Sequence, residues 1–230
     1  EYLILKNMSE RLPILAIETS DKICGASLYF NDMKYFSSKV LLEHSHSEKL
    51  FEVINSVMQQ AQLEFNQIKS LAVSSGPGSF TGLRIGMAAA KGIAQAASIP
   101  IIPVPTFEAL ALQISTYLPD NSIFIIANKV GKDELYFAKF YIKSNSPIFK
   151  EDLKIMQNKD FNSLSDDQLI FGNVNDKIIT DSQRKINISS PDPEFVAKWA
   201  AKNGTNKEIF DFDYLEPNYL KKFLVKEKKL

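Results

Sequence analysis

The sequence predicts an α/β fold in two lobes, each a mixed sheet flanked by helices. Three observations predict it. Residues 70–97 read as a short buried strand, a glycine-rich loop and a long helix in direct succession. Three short apolar runs joined by tight turns precede that unit, with an amphipathic helix between. After a proline-rich stretch and a further helix, the chain opens a second set of strands at Ser122. The expected division is 1–108 for the first lobe and 109–230 for the second, with the last residues packing back on the first.

The first three strands are Leu12 to Ile17, Cys24 to Phe30 and Lys34 to Val40, with Asn31-Asp32 as the hairpin turn. The turn Glu18-Thr19-Ser20-Asp21-Lys22 contains no glycine. It is either a remnant phosphate loop or a polar turn capped by its own hydroxyls. Ser45 followed by Glu48 forms a capping box, and Leu50, Phe51, Ile54, Val57, Met58 and Ala61 then recur at helical spacing on one apolar face. His44 and His46 stand two apart and point to different helical faces, so they do not make a metal pair.

In the central unit, Leu71 to Val73 is the buried strand, and Gly76, Pro77 and Gly78 shape the loop. The helix is expected to start near Thr81 as its cap. Gly82, Gly86, Ala90 and Ala97, with Ala89 and Ile93 beside them, share a bare side. Glycine weakens a helix by roughly 1 kcal/mol against alanine, so Gly82, Gly86 and Gly92 point to a close approach of another backbone. That backbone lies within this domain or in a partner.

Pro100, Pro103 and Pro105 restrict their segment to an edge strand or connector. Thr106 to Leu118 reads as a helix with Thr106 as cap. Ser122 to Ala127 and Leu135 to Ile142 read as strands, joined through Asn128 to Glu134. Residues 143–192 are polar and weakly patterned, apart from Gln168 to Gly172. Asp192-Pro193 starts a helix that carries Phe195, Trp199 and Ala200 on one face and stops at Gly204. The lone Trp199 is expected in the core. The tail from Lys221 to Lys229 is basic.

Of 230 residues, 45% are hydrophobic and 23% charged, as in soluble globular proteins. Acidic and basic residues balance at 27 each, which argues against a chain that holds nucleic acid by its own field. The single cysteine, Cys24, forms no internal disulfide and fits a reducing, cytoplasmic setting. No apolar run is long enough to span a membrane. The sequence begins at Glu1, and Met8 offers a start site that would make 1–7 an extension.

The run Gly76-Pro-Gly-Ser-Phe-Thr-Gly-Leu-Arg-Ile-Gly86, followed by Ala90-Lys-Gly-Ile-Ala94, resembles the signature of the bacterial TsaB (YeaZ) family. His46-Ser-Glu-Lys-Leu50 and Pro217-Asn-Tyr-Leu220 match two further patterns of that family. Three positions depart from it. Glu18 stands where an aspartate is usual, residues 128–134 lack the usual Asp-Ala-Arg, and Lys221 replaces an arginine.

The resemblance implies an actin-like fold of the actin, sugar-kinase and Hsp70 group. It implies a non-catalytic subunit of the machinery that makes threonylcarbamoyladenosine at position 37 of tRNA. Such a subunit binds and activates a TsaD-like catalytic partner, is joined by a TsaE-like ATPase, and meets tRNA only through the complex. The expected partner-binding residues are His46, Leu50, Ile54, Val57, Gly82, Arg84, Gly86, Ala90 and Ile93, and the same helices would serve a homodimer. Gly76, Pro77, Gly78, Ser79, Phe80 and Thr81 form a conformational loop, and Glu18, Thr19 and Ser20 a degenerate phosphate loop. No catalytic residue, metal, cofactor or intact ATP site is expected. The alternative is an enzyme, either a small actin-like ATPase or a glycoprotease-like metalloenzyme.

Overall fold

Short apolar runs with hairpin turns pair antiparallel, whereas runs separated by helices pair parallel, and the chain does both twice. The computed structural model describes residues 11–41, 46–161, 169–181 and 183–221. The first sheet has the order β3-β2-β1-β4-β5. Strands β1 (Ile14–Glu18), β2 (Ile23–Asn31) and β3 (Lys34–Leu41) run antiparallel, and β4 (Ser70–Gly76) and β5 (Ile101–Pro105) lie parallel to β1. Helix α1 (His46–Ala61) links β3 to β4, and α2 (Phe80–Ala97) links β4 to β5. The prolines of the last strand are accommodated because β5 is an edge, covered on its outer side by a backbone bridge between Ile101 and Ile209.

The second sheet repeats the plan. Strands β6 (Ile123–Lys129), β7 (Glu134–Lys143) and β8 (Ser146–Gln157) are antiparallel, and β9 (Leu169–Phe171) and β10 (Arg184–Ile186) lie parallel to β6. The order β10-β9-β6-β7-β8 mirrors the first sheet strand for strand. Helix α3 (Thr106–Ser115) joins the lobes, α4 (Asn158–Phe161) is one turn, and α5 (Pro193–Asn203) returns to the first sheet.

Central strand β1 is buried on both faces, as parallel strands covered by two layers must be. Leu15 and Ile17 face α1 and α2, in a core with Leu50, Ile54, Val57, Met87 and Ala90. Ile14 and Ala16 face the other way, against Val196, Trp199 and Ala200 of α5. Trp199 is 3% exposed, and its indole N–H donates to Glu108 at 3.1 Å. Helix α3 places Phe107, Leu110 and Ile114 on the second sheet and Ala109 on the first lobe's core, so one helix is shared by both.

Three local expectations are corrected. Helix α2 starts at Phe80, because the Ser79 hydroxyl accepts the Gly82 N–H, so Ser79 rather than Thr81 is the cap. The Thr106 hydroxyl caps nothing in its own helix and accepts the Gly76 N–H instead. The long strand β8 lies in the region read as unpatterned. The Met8 start site, His44, the Ser45 cap and the tail beyond Lys221 lie outside the described residues.

Candidate functional site

The glycine-rich loop is built onto the first turn of the chain. Gly76 ends β4 at a φ of +114°, a conformation that glycine alone adopts freely, and a Cβ there would lie 2.7 Å from the Asn218 carbonyl. Ser79 N–H donates to the Ser20 carbonyl at 2.6 Å, and a Cβ on Gly78 would sit 2.4 Å from that same oxygen. One turn into α2, a Cβ on Gly82 would lie 2.1 Å from the Thr19 carbonyl, and one on Gly86 2.3 Å from the Thr19 hydroxyl. That hydroxyl donates to the Gly82 carbonyl at 2.8 Å.

Glu18, Thr19 and Ser20 are buried, and their polar groups are turned inward. The Glu18 carboxyl accepts the Ser20 N–H at 2.6 Å and the hydroxyls of Ser20 and Ser74. Burial pushes its pKa up to about 7, against the lowering effect of those hydrogen bonds. Burial also pushes the nearby Cys24 thiol up to about 11, with the Glu18 charge adding to the rise. The carboxyl's hydrogen-bond partners, Ser20 and Ser74, lie within the first lobe.

A cleft of about 270 Å³ separates the lobes, lined by Ser20, Asp21, Gly78, Asn128, Tyr136 and Asn173 among others. Its polar groups answer one another. The Asp21 carboxylate accepts from the Asn173 amide at 3.2 Å and from the Ser189 hydroxyl. The Asn128 amide donates to the Ser189 carbonyl at 2.6 Å, and its oxygen accepts the Asn173 N–H at 3.3 Å. Asp133 is exposed in the loop between β6 and β7 and is not among the cleft-lining residues. Among the described residues, no group of three or more His, Cys, Asp or Glu side chains is placed to hold a metal ion. Nor is any helix of the described residues long and apolar enough to cross a membrane.

The contact surface expected on α1 and α2 needs correction. Leu50, Ile54, Val57 and Ala90 are at most 1% exposed, and Gly82 and Gly86 are buried, because this face packs on β1 and the Thr19 turn. His46 is 9% exposed, and its Nε2 lies 2.7 Å from the Asp21 carbonyl, to which it donates. None of these seven presents a surface to a partner. Of the expected set, only Arg84 and Ile93 reach outward. The Arg84 guanidinium stacks on Phe80, 3.8 Å from the ring centroid, and its Nε donates to the Tyr219 hydroxyl at 2.8 Å. Ile93 lies in a groove.

That groove runs between α1 and α2 and has a volume of about 590 Å³. Phe51, Phe65, Ala88, Gly92, Ile93 and Ala96 supply most of its apolar lining. Phe51 is 53% exposed. Gly92 differs from the other two glycines of its helix, for a Cβ there would meet nothing within 4 Å. Its bareness serves no contact among the described residues. The expected contact set omits the groove-lining Phe51, Ala88 and Ala96. The available signal was that Gly92 lies six residues from Gly86, out of phase with the packed side.

Comparison with known proteins matches residues 40–163, just over half of the chain, to the family model described as TsaD: tRNA N6-adenosine threonylcarbamoyltransferase. The chain is 31% identical over 130 residues to the tRNA threonylcarbamoyladenosine biosynthesis protein TsaB of Haemophilus influenzae. That alignment takes in 56% of this chain and about half (54%) of the relative. The protein of the same name from Buchnera aphidicola subsp. Baizongia pistaciae is 27% identical over 218 residues, 90% of this chain and 97% of its own length. The solved structure of YeaZ from Pseudomonas aeruginosa superposes with a TM-score of 0.75 at 18% identity, over 90% of this chain and 99% of that one, a likeness of fold.

Proposed function

This chain belongs to the family described by the TsaD model, on its TsaB (YeaZ) side, and we propose from that premise that it is a subunit of tRNA threonylcarbamoyladenosine biosynthesis. In this reading it carries no catalytic centre, binds a TsaD-like catalytic subunit in the cytoplasm, and supports that subunit's active arrangement. A TsaE-like ATPase joins the pair, and tRNA is met through the complex. The degenerate turn at Glu18 to Ser20 leaves the isolated chain without a working nucleotide site or cofactor.

The observation that carries the proposal is the groove between α1 and α2. It is apolar, open, and floored by small residues, and among the described residues a Cβ on Gly92 would meet nothing within 4 Å. Concave, mostly apolar surface is where ligands and partners tend to bind, and small residues let a partner's backbone come close. The groove lies within the stretch that the family model matches. A second copy of this chain is the competing occupant.

The test is co-purification with a TsaD-like subunit from the same source, repeated with Phe51→Glu. The wild-type chain is expected to form a stable heterodimer, and the variant to fold normally and elute alone. A chain that stays monomeric beside that subunit, or pairs only with itself, defeats the proposal.

A further inference from the structure

We infer that Asp21 is a latch that holds the second lobe on the first and links that closure to the N-terminal end of α1 beside the groove. Asp21 sits in the turn between β1 and β2 and is bonded in two directions. Toward the second lobe, its carboxylate gathers the Asn173 amide and the Ser189 hydroxyl on one oxygen. Those residues follow β9 and β10, at the cleft end of the second sheet's two parallel strands. Toward the groove, the Asp21 carbonyl accepts from His46, the first described residue of α1.

The same turn grips α2 as well, through Ser20 to Ser79 and Thr19 to Gly82. Both groove helices are therefore bonded to three consecutive residues, Thr19 to Asp21, the last of which carries the latch. On the far side, the anchor is stiff. Asn128 ties Ser189 and Asn173 together, and the Asn173 side chain accepts the Lys129 N–H at 2.7 Å. Hydrogen bonds to a carboxylate are the strong kind, and these join the β1–β2 turn of the first sheet to the segments that follow β9 and β10 of the second.

The consequence is linkage. Any occupant that shifts α1 or α2 changes the energy of lobe closure, and lobe closure changes the affinity of the groove by the same factor. That the groove takes a partner rests on the proposed function, whereas the latch itself does not.

Hydrogen exchange read by mass spectrometry on the full chain alone keeps the two apart, because no partner is present. Two variants approach the latch from opposite lobes: Asp21→Ala, and Asn173→Ala combined with Ser189→Ala. Each is expected to speed exchange at Asn173 and in the first turn of α1 by about tenfold, the factor that hydrogen bonds to a charged group carry, with Lys129 left out because Asn173→Ala removes its own acceptor. Combining all three changes should add little to either, as for partners in one interaction. Lys143→Ala, on an exposed end of β7, serves as the control and should change none of these segments. The pair on the second lobe stands as the test even if Asp21→Ala fails to fold. If that pair leaves the first turn of α1 at its wild-type rate, or if Asp21→Ala acts only within residues 19–23, the latch is refuted.

Discussion

Two glycines in one helix should respond to the same substitution with opposite signs. Gly82→Ala and Gly92→Ala each add one methyl group to α2, and each gains about 1 kcal/mol of intrinsic helix preference. At Gly92 the new Cβ meets nothing within 4 Å, so the gain should appear in full. At Gly82 it would lie 2.1 Å from the Thr19 carbonyl, a backbone atom that cannot rotate away. Either α2 or the turn at Thr19 must move, which strains the Ser79 to Ser20 and Thr19 to Gly82 bonds. Overpacking of this kind costs about 1–3 kcal/mol, and a backbone clash belongs at the upper end. For a chain of this size, 1 kcal/mol shifts Tm by about 2–4 °C. Thermal melts should therefore rise by a few degrees for Gly92→Ala and fall by about 4–8 °C for Gly82→Ala, after the helix gain is subtracted. Gly86→Ala, facing the Thr19 hydroxyl at 2.3 Å, should fall between them. Shifts of the same sign at Gly82 and Gly92 would refute the assignment of one glycine to internal packing and the other to the groove.

Other predictions follow from the buried polar groups. Glu18 has a folded pKa of about 7 against 4.5 for a free glutamate side chain, so its contribution to stability is complete below pH about 4.5 and is lost as the pH rises through 7. The loss is about 3 kcal/mol, and denaturant titrations at pH 5 and pH 8 should show a smaller difference for Glu18→Gln than for wild type. An unchanged difference would mean that Glu18 is not the titrating group. Thr106→Val removes the acceptor of the buried Gly76 N–H and should cost about 1–3 kcal/mol in the same assay, whereas a neutral result would show the loop finds another partner. Calorimetry with ATP and magnesium should detect weak or no binding to the isolated chain, and a sub-micromolar Kd would contradict the inward-turned donors of Thr19 and Ser20.

Much of the first lobe is legible from sequence because its signals are local. Apolar runs and the helical spacing of Leu50, Ile54 and Val57 each specify an element by themselves, and the Asn31-Asp32 signal marks the hairpin one residue ahead of the observed Asp32-Met33 turn. The prolines at 103 and 105 give the edge position of β5 for the same reason. Direction is harder. The bare side of α2 shows that something comes close, but an internal turn and a partner's helix leave the same glycine spacing. Only the placement of Thr19 decides between them, and it assigns Gly82 and Gly86 to the core. The apolar stripe of α1 misleads likewise, since residues regular enough to read as a docking face are regular because they are buried. The second lobe hides its plan because β8 alternates weakly and carries charges on an exposed edge. Its likeness to the first sheet emerges from strand order, and Asn173 and Ser189 acquire meaning only opposite Asp21.

The most direct test of the account is a binding titration between this chain and a TsaD-like subunit from the same source, with Gly92→Arg beside wild type. A long charged side chain at Gly92 has free space in the monomer and, like Gly92→Ala, should raise Tm by a few degrees, while filling the groove between Phe51 and Ile93. The account predicts tight binding by wild type and at least a hundredfold loss in the variant, about 2.7 kcal/mol, as for a central interface position. Full affinity in a Gly92→Arg chain that melts no lower than wild type would place the partner elsewhere and contradict the account.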